Sequence, residues 1–190
     1  MGVSLPPSST ALAAAGKALS AARDPIAVEW AEWVNRRAAT AGQMNPATVN
    51  RQLSLLVDIL AHMAGPLRRP TADLWLAASE WFGRTAADRG LATGEIVEEF
   101  QYLREILIVH LSVLIAALPA RQSLATVLRL NRFLDDGIAH AVVGYTDALV
   151  ESMLHKRGLP VSANDVAESE IEKGLERFEG ELAAIRVRGG

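Results

Sequence analysis

An apolar stripe of helical period constrains this chain more than any other feature. It runs from about residue 122 to residue 156 and steps by three or four residues throughout, through Val127, Leu130, Leu134, Ile138, Ala141, Tyr145 and Leu149. A period near 3.6 buries one face of a helix, whereas a half-buried strand requires strict alternation. No stretch of the sequence alternates in that way between hairpin turns, so we predict an all-α fold.

Proline and glycine divide the rest of the chain into further helical segments. Asp24-Pro25 and Asn45-Pro46 pair a capping side chain with proline at the first helical position, and Gly90 is typical of a helix C-terminus. These signals predict a bundle of about five core helices: 24–42, 46–64, 71–89, 93–118 and 122–156. The helical domain then spans residues 24–158, and residues 1–23 are expected to form a flexible leader or a weak helix.

Residues 161–190 differ in composition from the bundle. They carry seven acidic and four basic residues, and their apolar side chains are spaced 4, 3, 4, 3: Ile171, Leu175, Phe178, Leu182 and Ile185. That spacing is the seam of a coiled coil. The seam is short, and Gly174 and Gly180 each cost about 1 kcal/mol relative to alanine. We therefore expect a C-terminal coiled-coil linker helix that is marginal by itself.

Composition narrows the class of protein. The 190 residues contain no cysteine and carry a net charge of −3, with 19 basic and 22 acidic residues. A disulfide framework, a thiol nucleophile and a thiolate zinc site are excluded, and the charge does not favour nucleic acid. The most apolar run, 106–118, is shorter than the roughly 20 residues of a spanning helix. We expect a cytoplasmic protein without membrane insertion, in which this run is a buried core helix.

Few residues suggest chemistry. His110, in the middle of the apolar run, is a candidate haem ligand or pH-sensitive group, although a core histidine bonded to a neighbour is the favoured interpretation. Trp75, Trp81, Phe82 and Tyr102 are candidates for a ligand pocket, with core packing as the favoured alternative. No converging catalytic set, no phosphate loop and no Glu-x-x-His metal motif can be named. We therefore predict a protein that is not an enzyme, with no metal and no obligatory cofactor.

The segment from Trp81 to Leu107 combines Arg84, the Arg89-Gly90 turn, Glu95, and the pairs Glu99-Phe100 and Leu103-Arg104. In these features it resembles the N-terminal regulatory domain of RsbT co-antagonist proteins of the RsbRD type, which also precedes many bacterial sensor histidine kinases. The stretch from Leu130-Asn131-Arg132 to Ala139, together with Ala141 and Tyr145, is similar to the last helix of that family. The resemblance covers roughly residues 25–155 and contains no catalytic signature. It implies an all-α, often globin-like bundle that acts as an input or scaffold domain for a downstream effector.

These observations together predict a non-catalytic signal-transduction input domain that works by protein contact and dimerisation. The alternative is a small-molecule or haem-binding globin-like sensor. For the homodimer we expect an interface formed by Trp30, Trp33, Leu130 and Leu134, supplemented by the apolar seam of residues 171–185.

Overall fold

A computed structural model describes residues 7–37, 45–155 and 163–189. These residues form seven helices and contain no strand, so the prediction of an all-α bundle is confirmed. The helices are α1 (Pro7–Ala21), α2 (Arg23–Arg37), α3 (Pro46–Ala64), α4 (Arg68–Asp88), α5 (Thr93–Ala117), α6 (Ala120–His155) and α7 (Ala163–Gly189). The five expected core helices correspond to α2 to α6. The leader residues 1–6 and the predicted boundaries near residues 42 and 158 lie outside the described residues.

Two helix boundaries follow the local signals, but α2 begins at Arg23, so Asp24 lies in its first turn and is not the N-cap that the sequence predicts. The Asn45 side chain accepts a hydrogen bond from the Ala47 N–H at 3.0 Å and caps α3. Gly90 has a φ of 75°, and the Leu91 N–H donates to the Ala86 carbonyl at 3.1 Å. This positive φ is strained for any residue with a Cβ, so glycine at the end of α4 allows the chain to turn sharply into α5.

The first helix belongs to the core. Leu12, Ala15 and Leu19 of α1 are at most 4% exposed, and α1 packs mainly against α3. The segment is rich in alanine, which has the highest helix propensity, but tertiary packing is what stabilises a helix of this length.

Four aromatic side chains fill the centre of the bundle: Trp30, Trp75, Phe82 and Phe100, all with 0% exposure. The rings of Phe82 and Phe100 meet edge to face at 5.5 Å, and Trp30 contacts both. The Trp75 indole N–H donates to the Phe133 carbonyl at 2.8 Å, which satisfies its buried donor. The aromatic centre therefore joins α2, α4, α5 and α6.

Burial corrects the expected surface for a two-fold interface. Trp30, Leu130 and Leu134 are 0%, 6% and 1% exposed inside a single chain, and the half-buried Trp33 ring stacks on Tyr102 at 4.7 Å. These side chains are covered by other residues of the same chain. The apolar periodicity identifies which faces of α2 and α6 are buried. It does not show whether the same chain or a second copy covers them.

The expectation of a buried core helix at residues 106–118 also needs correction. α5 is buried in its first half, but Ile108, Val109 and Val113 are 42%, 68% and 82% exposed. By length and composition α5 is the one helix among the described residues that could cross a membrane, and fewer than a third of the residues in its most apolar stretch are buried.

Candidate functional site

The C-terminal helix α7 folds back onto its own bundle. Its apolar seam lies against α4 and α3, and all five seam residues, Ile171, Leu175, Phe178, Leu182 and Ile185, are at most 7% exposed. The interpretation of this seam as a coiled-coil interface with a second chain is therefore replaced by packing within the chain. A seam of this spacing needs an apolar partner, and the α3–α4 face supplies it.

The centre of this contact is aromatic. The Trp81 and Phe178 rings lie 5.3 Å apart, and the Arg177 guanidinium lies 4.2 Å from the Phe178 ring centroid. A Cβ at Gly174 would overlap the Trp81 indole. Glycine at this position is what lets α7 approach α4 so closely, which explains a residue that otherwise weakens the helix.

One charged contact, here called the Arg51 clasp, joins α3 to the middle of α7. Arg51 donates to both carboxylate oxygens of Glu179, at 2.7 and 2.6 Å, and to Glu172 at 2.9 Å. The hydrogen bond from Arg51 lowers the pKa of Glu179, and desolvation opposes this only in part. The two-pronged geometry is specific to a guanidinium and orients α7 on the bundle.

A second charged contact, the Asp58 clasp, lies near the C-terminus of α7. The Arg186 guanidinium donates to the Asp58 carboxylate at 2.6 Å and to Nε2 of His62 at 3.0 Å. Nδ1 of His62 lies 2.8 Å from the Asp58 carbonyl and donates to it in the tautomer that leaves Nε2 free to accept. Asp58 is only 8% exposed, and its carboxylate also lies 3.6 Å from the Arg23 guanidinium of α2.

The residues that carried the family resemblance also meet in space. Arg89 and Glu99 form a buried salt bridge between the end of α4 and the start of α5, with two nitrogen–oxygen distances of 3.2 Å. Arg84 pairs with Asp147 and Glu151 of α6, and Arg104 pairs with Asp135 of the same helix. The motif therefore ties α4, α5 and α6 into one unit.

Comparison with protein-family models, curated proteins and solved structures finds no match to this chain. The resemblance to the RsbRD-type domain therefore stays a prediction.

The other candidate residues do not come together. The His110 side chain is 26% exposed and its Nε2 lies 3.4 Å from a Glu29 oxygen, so it is a surface histidine on α5. Trp75 and Phe82 belong to the aromatic centre, whereas Trp81 contacts α7 and Tyr102 stacks on Trp33. Within the described ranges no group of three metal-ligating side chains is found.

An open groove follows the contact between α4 and α7. It measures about 640 Å³ and is lined by Pro70, Asp73 and Leu74 on one side and by Glu181, Ile185 and Arg188 on the other. Among the described residues of this contact we find no group of three metal-ligating side chains. What the contact offers is a helix seated by apolar contacts and two polar clasps. Sequence reasoning found the seam but missed the clasps, whose partners are more than 120 positions apart.

Proposed function

We propose that this chain is a non-catalytic signal-transduction input domain, and that α7 is its output element. One observation carries the proposal: a helix with a coiled-coil seam is seated on its own bundle, with its seam buried and with ion pairs to α3 at its middle and near its C-terminus. In the seated state the seam is covered. In the released state it becomes available to a second copy or to a downstream signalling protein.

The polar clasps are the part of the contact that a signal can alter at the lowest cost, because the buried seam contributes most of the binding energy. Arg51 and Glu179 are each 41% exposed, and exposed ion pairs contribute about 0–1 kcal/mol each. The Arg186–Asp58 pair is more protected on its acidic side, which is 11% exposed. A signal that alters α3 therefore acts on both clasps at once, because Arg51, Asp58 and His62 all belong to that helix.

Dimerisation follows from the same element. The released seam is too short to hold two chains strongly, because two glycines and the backbone entropy of an ordered helix oppose it. A weak parallel coiled coil suits an output that must remain reversible. The homodimer is thus proposed for the released state, and the seated state is expected to be monomeric.

The decisive experiment measures where α7 lies. Since the chain has no cysteine, Gln101→Cys on α5 and Glu176→Cys on α7, both exposed, can carry a pair of spin labels. The clasp-reversal variant combines Arg51→Glu with Arg186→Glu and places carboxylates against Glu179 and Asp58. We expect a narrow distance distribution in the parent and a broad, longer one in this variant, with light scattering shifting toward a dimer.

The matched control combines Lys173→Glu with Arg188→Glu. It makes the same change in net charge, but the hydrogen bonds and ion pairs of these two side chains are to residues of α7 itself, Glu170 and Ala184. Its distances should stay narrow. Circular dichroism verifies that both variants keep their helices. A clasp-reversal variant whose label distances and molar mass equal those of the parent would disprove the role of α7 as a releasable output.

A further inference from the structure

The end of the α5–α6 hairpin carries apolar side chains on its surface. Only Leu118 and Pro119 separate α5 from α6, and the two helices pack side by side, so they run antiparallel. We call residues 106–134 the hairpin. Its exposed apolar side chains are Ile108, Val109, Val113, Leu124 and Leu128, which are 42–82% exposed. Exposed apolar residues gathered in this way mark a contact site on a soluble protein.

The hairpin is also positively charged. Between Glu105 and Asp135 the sequence contains no acidic residue, whereas it contains Arg121, Arg129 and Arg132. The whole chain carries a net charge of −3, so the charge of this region is opposite in sign to that of the chain as a whole. All three arginines are exposed. A partner that fits must be apolar in part and negatively charged.

Two of these arginines line an open pocket of about 740 Å³ beside the apolar side chains. Arg129 and Arg132 face Arg68 of α4 across it, and Leu128 and Phe133 form its apolar wall. Asp136 is its one acidic lining residue. The Arg68 guanidinium lies 5.4 Å from the Phe133 ring centroid. Within the described residues, none of the three pocket arginines, Arg68, Arg129 and Arg132, has a carboxylate within 4.0 Å. Guanidinium groups that lack a carboxylate partner are suited to bind phosphate.

We propose that the hairpin docks on an anionic phospholipid membrane surface. The apolar side chains enter the boundary between head groups and acyl chains, and Arg68, Arg129 and Arg132 bind lipid phosphates. Acidic groups do border the hairpin: Glu105 and Asp135 flank it in the sequence, Glu29 pairs with His110, and Asp136 lies at the pocket. A second copy fits less well, because a two-fold contact between hairpins would bring six arginines together without one hairpin carboxylate to neutralise them.

The experiment is co-sedimentation of the full chain with vesicles. One set contains phosphatidylcholine alone, and the other contains phosphatidylcholine mixed with phosphatidylglycerol. We expect pelleting only with the mixed vesicles, and weaker pelleting at high salt, because ions screen the attraction. Each arginine near an anionic surface strengthens binding by about fivefold, so Arg129→Glu with Arg132→Glu should reduce partitioning by at least about 25-fold. Val113→Asp should reduce it by at least about tenfold.

Two control variants match these changes. Val187 on α7 is 83% exposed, close to the 82% of Val113, so Val187→Asp makes the same chemical change outside the hairpin. Lys173→Glu with Arg177→Glu reverses two exposed charges on α7. Both controls should pellet like the parent, and circular dichroism should show equal helicity for all variants.

Three results would overturn the proposal. The first is equal pelleting with both vesicle types, or none with either. The second is binding of soluble glycerophosphate without binding of mixed vesicles, which would make the pocket a site for a free anion. The third is a parent dimer that does not pellet and that Val113→Asp converts into a monomer, which would assign the hairpin to a second copy.

Discussion

Arg89 and Glu99 form a salt bridge inside the bundle, with two nitrogen–oxygen distances of 3.2 Å and side chains only 3% and 5% exposed. The Arg89 guanidinium also lies 5.2 Å from the Phe82 ring centroid, so the pair is enclosed by the aromatic centre. Burial of a charge is tolerated here because each partner neutralises the other. The sharp turn at Gly90 brings the two residues together.

Removal of one partner should therefore be costly. We expect Arg89→Leu to lower the free energy of unfolding by about 3–5 kcal/mol, because it leaves the Glu99 charge buried without its main partner. Urea denaturation followed by circular dichroism measures the change. Arg84→Leu is the control, since Arg84 is 37% exposed and pairs at the surface, where the expected loss is below about 1 kcal/mol. Equal losses would contradict the structural role assigned to the buried pair.

The two glycines of α7 should respond in opposite directions to the same substitution. Gly180→Ala is expected to raise the free energy of unfolding by up to about 1 kcal/mol, because no atom lies within 4 Å of the added Cβ and alanine favours the helix. Gly174→Ala is expected to lower it, because overlap with the Trp81 ring costs about 1–3 kcal/mol. Thermal unfolding of the two variants, compared with the parent, measures both changes in stability. Stabilisation by both would mean that α7 does not rest on Trp81.

The Arg51 clasp should make α7 sensitive to acid. Arg51 lowers the pKa of Glu179, so the bond stabilises the folded chain above the usual glutamate pKa and is lost as pH falls through the lowered value. The stability of the parent and of Arg51→Ala should therefore converge on acidification. Urea denaturation from neutral pH to about pH 3 follows this difference. A difference that stayed constant over that range would exclude Glu179 as the group responsible.

Trp30 should act as a core residue. With 0% exposure and ring contacts to Phe82 and Phe100, its replacement by alanine is expected to cost about 3–5 kcal/mol of folding free energy. Combination with Leu134→Asp, at a site 1% exposed, should abolish helicity rather than dissociate a folded dimer. Circular dichroism with light scattering distinguishes the two. A helical, monomeric double variant obtained from a dimeric parent would restore these residues to an interface between copies.

Local signals were sufficient for most of the secondary structure. The Asn45 cap, the Gly90 turn and the apolar period of α6 depend on neighbouring residues, and each is found where the sequence predicts it. Periodicity cannot name the partner of a buried face, however. The spacing of apolar residues in α7 is equally consistent with a coiled coil between two chains and with a helix packed on its own bundle.

The same limit applies to α5 and to the clasps. An apolar run was interpreted as core, yet the half that contains Val109 and Val113 lies at the surface. The Asp58–Arg186 pair joins residues 128 positions apart, and a single sequence contains no local pattern that links them. Charge pairs between distant helices are set by tertiary packing, so they emerge only from the structure.

The return of α7 onto α3 also sets an order of events during synthesis. Arg51 and Glu179 are 128 positions apart, so the ribosome has made α3 and α4 long before it makes the helix that covers them. The bundle therefore exists for a time with an uncovered apolar trough, in which Trp81 lacks its Phe178 neighbour. Such surface on a nascent chain is what chaperones recognise and what promotes aggregation. The helix that we propose as the output element would thus also complete the folding of the bundle.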